Sequence, residues 1–348
     1  MPSGQTLRFL FFGAGAIGTY VGGSLALAGF PVAFVEQPGP AERLRANGLR
    51  LNIGGRFLRV PAPVVHSTPE AALRADPPDL VVFALKSYDT AAAVDSLRPW
   101  KPLLPPALCL QNGVENEGVL EEVFGAGRVI AGTVTSAVGR GEAGEITLER
   151  KRGVGIALGH PFSRAAAAAC AAAGLKAGLF ADGPAMKWSK LLTNLAANAS
   201  AAILGMPPAE IFADPGLNRM EIEMLRECLR VMRALNRRPV DLPGTPVRLF
   251  AFAVERLPPA LARPALAHAI GGGRGGKMPS LYLDLHSGRG QSEVGWLNGA
   301  VVRFGGQLGV ATPVNRMLTE TLETLAAGRE DPQGFIGRPE RLLERLPG

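Results

Sequence analysis

Three polar side chains, Lys190, Asn194 and Asn198, recur every four residues in the apolar run Lys187-Trp188-Ser189-Lys190-Leu191-Leu192-Thr193-Asn194-Leu195-Ala196-Ala197-Asn198. On a helix that spacing makes one polar stripe. The neighbours are Leu and Ala, so the helix is expected to be buried nearly all round. Burying a lysine and two amides is costly unless they are paired, and a stripe of this kind suits the wall of a polar cleft. The solvent edge of an amphipathic helix has the same spacing. A buried lysine can have a lowered pKa and release its proton more readily. That is what a general acid needs if it protonates a carbonyl oxygen while a nicotinamide delivers hydride to the carbon. The chain has only seven lysines, so each one carries weight.

A second constellation lies near the start, Gly13-Ala14-Gly15-Ala16-Ile17-Gly18. Gly13 permits a tight turn out of a strand, Gly15 lets backbone approach a pyrophosphate, and Gly18 lets a helix pack on the sheet. All six positions, Ala14, Ala16 and Ile17 included, form the expected dinucleotide-binding turn, with phosphates at the helix N-terminus. Glu36 follows Gly18 by 18 residues, the distance at which a carboxylate accepts hydrogen bonds from the ribose hydroxyls and repels a 2′-phosphate. Gln37 follows where arginine would favour NADP. NADH is therefore expected over NADPH, although Arg43 and Arg45 could reach round.

The elements around these residues read as α/β. Leu7 to Phe12 and Val32 to Val35 read as strands flanking a small-residue helix that ends at Gly29. Further strands are expected at Leu80 to Leu85, Ala107 to Leu110, Val129 to Val138, Gly144 to Leu158 and Leu175 to Phe180, with an Ala-rich helix at 165–173. Beyond Asp182-Gly183-Pro184 the pattern becomes helical, at about 185–205, 215–236, 246–256, 293–309 and 313–327. The expected fold class is an N-terminal Rossmann doubly wound sheet over 1–182 and an all-helical C-terminal domain over 183–328, with 329–348 as a tail. The Gly-rich stretch 271–276 reads as a loop, either a linker or a mobile lid.

Composition narrows the function. The chain has 348 residues, 47% hydrophobic and 19% charged, as ordinary globular proteins do. The net charge of +7 comes mostly from scattered arginines, without the aromatic interleaving of a nucleic-acid binder. Cys109, Cys170 and Cys228 are isolated and the four histidines show no ligand spacing, so neither a disulfide framework nor a metal site is expected. Phe9 to Phe30 carries no charge, but its six glycines fit the nucleotide turn better than a membrane span. A cytoplasmic location is expected.

Taken with their order along the chain, these residues resemble the ketopantoate reductases (2-dehydropantoate 2-reductases). The resemblance runs from Gly13 to about Leu325. It is carried by the Gly-rich turn, Leu85-Lys86-Ser87, Gln111-Asn112-Gly113, Gly132-Thr133, the helix Lys187 to Asn198, Pro279-Ser280, Ser292-Glu293 and Leu297-Asn298-Gly299. It implies a two-domain NAD(P)H-dependent oxidoreductase of pantothenate biosynthesis with its cleft between the domains. Lys190 would be the proton donor and Asn194 and Asn198 cleft residues. Lys86, Asn112 and Val138 would contact the cofactor, with Asn112 also near substrate. Ser280 would help hold the substrate carboxylate, and Glu293 would lie near its hydroxyl and the nicotinamide. Taken singly, Lys86 reads equally as a strand-end lysine, Asn112 as a turn former, Ser280 as a helix cap and Glu293 as a surface carboxylate.

The chain also departs from the family pattern. Gln37 stands where the family has arginine, Gly295 where it has an acid, and Pro207-Pro208 where some members have an asparagine. One extra residue lies between Asp284 and Glu293. These changes fall on cofactor selection and substrate shape, so the reaction type carries over better than the substrate. Ketopantoate to pantoate is the first expectation, with a small 2-oxo acid as the partner molecule and a homodimer left open. A dehydrogenase of another oxo or hydroxy acid, or a non-catalytic dinucleotide-binding sensor, are the alternatives.

Overall fold

Phe9–Phe12 (β1) points alternate side chains to opposite faces: Phe9 and Phe11 enter one apolar cluster, Leu10 and Phe12 another. A strand buried on both sides must lie inside a sheet covered on both faces. The computed structural model describes residues 6–258 and 278–346 and resolves into two compact units. One is Met1–Lys187 with Leu242–Thr245, the other Trp188–Asp241 with Pro246–Gly348. The Gly-rich stretch 271–276 lies outside the described residues.

After β1 the first unit continues with α1 (Ala16–Leu27), β2 (Val32–Val35), α2 (Pro38–Asn47), β3 (Leu49–Ile53), β4 (Arg56–Val60), β5 (Val64–His66), α3 (Pro69–Ala75) and β6 (Leu80–Phe83). Next come α4 (Thr90–Leu97), β7 (Ala107–Cys109), α5 (Asn116–Phe124), β8 (Val129–Val134), β9 (Ala137–Arg140), β10 (Glu145–Arg150), β11 (Val154–Ala157), α6 (Ser163–Ala172) and β12 (Ala177–Phe180). The main sheet has the order β12-β11-β8-β7-β6-β1-β2-β5. The run from β8 to β5 is parallel, whereas β11 is antiparallel to β8. The chain moves outward from β1 to β2 and β5, then crosses back to β6 on the other side. The order therefore reverses between β1 and β6, where open α/β sheets bind ligands beyond their strands' carboxyl ends. Helices α1 and α6 cover one face, and α3, α4 and α5 the other.

A second sheet, β4-β3-β10-β9, packs against α1 through Leu49, Leu51 and Ile146. Its β3–β4 hairpin turns on Gly54 and Gly55, both at positive φ (60° and 78°), the backbone that two-residue hairpin turns require. Phe9 to Phe30, weighed above as a membrane span, is β1, the Gly-rich turn and α1. No helix among the described residues is long and apolar enough to cross a membrane.

Helix α7 (Gly183–Leu195) runs across the boundary between the units. The second unit then carries α8 (Ala199–Leu204), α9 (Pro208–Ala213), α10 (Pro215–Ala234), α11 (Val247–Arg256), α12 (Ser280–Leu285), α13 (Asn298–Leu308), α14 (Pro313–Ala326) and α15 (Pro339–Leu343). Capping fixes several starts. The Asp214 carboxylate takes the N–H groups of Gly216 and Leu217, both at 2.8 Å, with Pro215 as the first residue of α10. Buried Glu227 takes the N–H groups of Val314 and Asn315 at 2.8 and 2.9 Å at the start of α14.

The structure differs from the sequence expectation in several places. The helix expected over 185–205 breaks at Ala196–Asn198, where Ala197 adopts φ 46°. The helix expected over 293–309 is a 3-10 turn, Glu293–Trp296, followed by α13. Residues 329–346 are packed: Leu342 is fully buried, the Gly337 N–H donates to the Leu204 carbonyl at 2.8 Å, and Arg345 pairs with Glu330.

Candidate functional site

In the first unit the three glycines behave as their chemistry requires. Gly13 has φ 94°, and a Cβ there would meet the Leu85 side chain at 2.9 Å. A Cβ on Gly18 would stand 1.9 Å from the Gly13 carbonyl oxygen, so only glycine lets α1 approach the turn. A Cβ on Gly15 would meet nothing within 4 Å. That open space lies at the N-terminus of α1, for which Gly15 is the cap residue and whose first turn holds no acid. Thr19 braces the loop by donating its hydroxyl to the Ala14 carbonyl at 2.8 Å. The cradle fits a dinucleotide pyrophosphate, with Ala16 and Ile17 opening the helix behind it.

Glu36, at the end of β2, accepts the Ala14 N–H, and its second oxygen accepts the Gln37 N–H at 3.3 Å. A carboxylate oxygen can take more than one donor, so ribose hydroxyls remain within its capacity. The Arg45 guanidinium is engaged with the Val65 carbonyl at 2.9 Å and the Ser67 hydroxyl at 3.2 Å.

Lys86 and Asn112 sit just beyond β6 and β7, on the strand-end side that also carries the Gly-rich turn, and both are partly buried. Side chains to which sequence reasoning gave no role of their own join their segments. Asn116 donates to the Asn112 carbonyl at 2.6 Å and to the Ser87 hydroxyl at 3.1 Å. The Ser87 hydroxyl also donates to the Asn112 carbonyl, at 3.1 Å. Gln111 donates to the Thr90 hydroxyl at 2.7 Å and to the Leu85 carbonyl at 3.3 Å. Val138 lies in β9, half-buried against the core under α1.

In the second unit, Lys190 and Asn194 stand one turn apart on α7 and are both partly exposed. Asn198 falls in the break after the helix and is buried. Its amide donates to the Asn194 carbonyl at 2.9 Å and to the Ser280 hydroxyl at 3.4 Å, and its oxygen accepts the Leu281 N–H at 3.1 Å. Asn194, Asn198 and Ser280 are thereby brought together, with Asn198 tying α7 to the start of α12. Glu293 is buried, and its N–H reaches the Asp284 carboxylate at 3.4 Å. The break itself rests on Glu221 of α10, fully buried, which accepts the Ala197 N–H at 2.8 Å and the Ser200 hydroxyl at 2.5 Å. Burial pushes the Glu221 carboxyl up to about 7, against the opposing effect of those two bonds.

The fully buried lysine of α7 is Lys187, not Lys190. The signal was present: Lys187 shares its helical face with Leu191 and Leu195, at intervals of four. Among the described residues no cluster of three or more His, Cys, Asp or Glu side chains could hold a metal, and the three cysteines are buried and free.

A doubly wound unit with an open glycine cradle at its switch point, followed by a helical unit bearing a lysine–asparagine face, defines a two-domain dinucleotide-dependent oxidoreductase. Residues 9–160 match the family described as Ketopantoate reductase PanE/ApbA, and residues 184–326 match its C-terminal counterpart; the chain belongs to the ketopantoate reductase family. It is 31% identical over 324 residues to a 2-dehydropantoate 2-reductase of Halobacterium salinarum, covering 90% of this chain and 97% of that one. A PanE/ApbA family ketopantoate reductase from Ralstonia eutropha is similar in structure, with a TM-score of 0.78, 29% identity, and coverage of 93% of this chain and 99% of that one. A D-mandelate dehydrogenase, solved with NADH and anilino(oxo)acetate, shares the fold at a TM-score of 0.76, 21% identity, and coverage of 92% and 99%.

Proposed function

We propose that the chain reduces a small 2-oxo acid to the 2-hydroxy acid, with 2-dehydropantoate as the substrate and pantoate as the product. The observation that carries this reading is the Asn194–Asn198–Ser280 cluster one helical turn from Lys190. A 2-oxo acid asks a site for donors to its carboxylate, donors to its carbonyl oxygen and one proton. The Ser280 hydroxyl and the Asn194 amide are the donors for orientation, and the Asn198 amide, engaged with the Asn194 carbonyl and the Ser280 hydroxyl, holds those two segments together. The Lys190 ammonium gives the proton to the carbonyl oxygen, and Glu293 accepts from the substrate hydroxyl. The bound nicotinamide supplies hydride to the carbonyl carbon. Lys86, Asn112 and Val138 complete the cofactor contacts begun by the glycine turn.

NADH is the proposed cofactor in preference to NADPH. The Glu36 carboxylate is held at the turn by the Ala14 N–H, where it would face a 2′-phosphate with like charge. Of the two arginines that could have countered it, Arg43 and Arg45, the second is committed to Val65 and Ser67. An active protein with these residues in place is an enzyme rather than a sensor.

The test is Lys190→Ala. Loss of a general acid is expected to lower kcat by about 10²–10⁴-fold while the Kd for NADH, read by fluorescence, stays within about twofold of wild type. Undiminished turnover would remove Lys190 from this role.

A further inference from the structure

The one fully buried lysine among the described residues has no part in the chemistry above. The Lys187 side chain is 4% exposed, and its ammonium meets three acceptors: the Gln111 carbonyl at 2.6 Å, the Gly132 carbonyl at 3.3 Å and the Glu117 carboxylate at 2.8 Å. Burial alone would pull its pKa down, but the charge of Glu117 and its hydrogen bond outweigh that and leave it raised. The ammonium is therefore a fixed cation, donating to two backbone carbonyls and ion-paired with the Glu117 carboxylate.

The three acceptors come from three elements. Gln111 lies two residues beyond β7, Gly132 is in β8, and Glu117 is in the first turn of α5. Between Gln111 and α5 runs the turn that carries Asn112. The Gln111 carbonyl belongs to the peptide plane that ends at the Asn112 nitrogen. Lys187 fixes that plane, while Asn116 and Ser87 fix the next one by holding the Asn112 carbonyl. Peptide units are planar, so two fixed planes set the φ and ψ of the residue between them and hence the direction of its side chain. Stability alone does not explain such a pair, since well-packed apolar residues often replace a buried ion pair at no loss.

We infer that Lys187, paired with Glu117, is a positioning residue for the dinucleotide site: it aims Asn112 at the cofactor. The inference rests on the reading of Asn112 as a cofactor contact, and the experiment separates the two. The variant Lys187→Met/Glu117→Leu removes both buried charges and is expected to melt near the wild-type Tm. Its Kd for NADH is expected to rise at least tenfold, and its KM for NADH with it, while kcat at saturating NADH stays within twofold. Asn112→Ala is measured in parallel and is expected to weaken NADH binding by a similar factor. A wild-type Kd in the double variant, with binding weakened in Asn112→Ala, overturns the role of Lys187 alone. A wild-type Kd in Asn112→Ala overturns the reading of Asn112 and the inference with it. Should the double variant melt early, Lys187→Met alone, in which the 19% exposed Glu117 side chain keeps some contact with water, is expected to show the same tenfold rise. A wild-type Kd there overturns the inference equally.

Discussion

At the residue scale, the side chains that organise the site are buried polar groups that sequence periodicity hides. Lys190 and Asn194, polar residues four apart among Leu and Ala, do share a face of α7, but Asn198, expected on the same stripe, falls in the break after the helix and is buried. Glu221, which creates the break that places Asn198, was not legible. It lies some twenty residues downstream on α10, and nothing local marks its partner as the Ala197 N–H. Its chemistry gives a pH-dependent prediction. An unfolded glutamate titrates near 4.5, whereas Glu221 titrates near 7 in the fold because it is buried. Between those values the folded chain holds a proton that the unfolded chain releases, so this contribution to stability is full below about pH 4.5 and is lost as pH rises through about 7. Glu221→Gln keeps an acceptor for Ala197 and offers Ser200 an amide in place of the acid. Denaturation at pH 5 and pH 8 is expected to show the variant gaining on wild type by on the order of 2–3 kcal/mol at the higher pH. A difference independent of pH would contradict the assignment.

At the scale of elements, β1, α1 and β2 were read closely, because a strand buried on both faces and a glycine turn leave strong patterns. The β3–β4 hairpin was missed despite its Gly-Gly turn, since β4 is largely exposed and offers no clear alternation of apolar residues. The glycine turn gives the sharpest separation of roles. Gly15→Ala puts a methyl into open space, so the Tm should hold within about 1 °C while the Kd for NADH rises at least tenfold. Gly18→Ala forces its methyl against the Gly13 carbonyl and should lower the Tm by several degrees as well, an overpacking cost of about 1–3 kcal/mol. Equal Tm values for the two variants, measured by calorimetry, would refute this division of labour.

At the scale of the whole molecule, the α/β-then-helical organisation was legible from the change of pattern near residue 182. The structural division instead falls inside α7, between Lys187 and Trp188, and returns Leu242–Thr245 to the first unit. Contacts so distant in sequence leave no local periodicity. The segment after Gly328 misled for the same reason: its Pro- and Arg-rich composition reads as a tail, yet Leu342 and Phe335 are buried, and Arg345 lies over the Phe335 ring. Ending the chain at Gly328 exposes the surfaces these residues cover and should lower the Tm of the second unit by more than 5 °C. An unchanged melting curve would show the packing to be dispensable.

The central claim is that this family member reduces a 2-oxo acid with a nicotinamide cofactor. The most direct measurement is kcat/KM for oxidation of NADH and of NADPH over a panel holding 2-dehydropantoate, pyruvate and the aryl acid phenylglyoxylate. The account predicts the highest value with 2-dehydropantoate and NADH, at least tenfold above the same substrate with NADPH. No oxidation of either cofactor with any 2-oxo acid would contradict the reaction, and a clear preference for phenylglyoxylate would contradict the substrate.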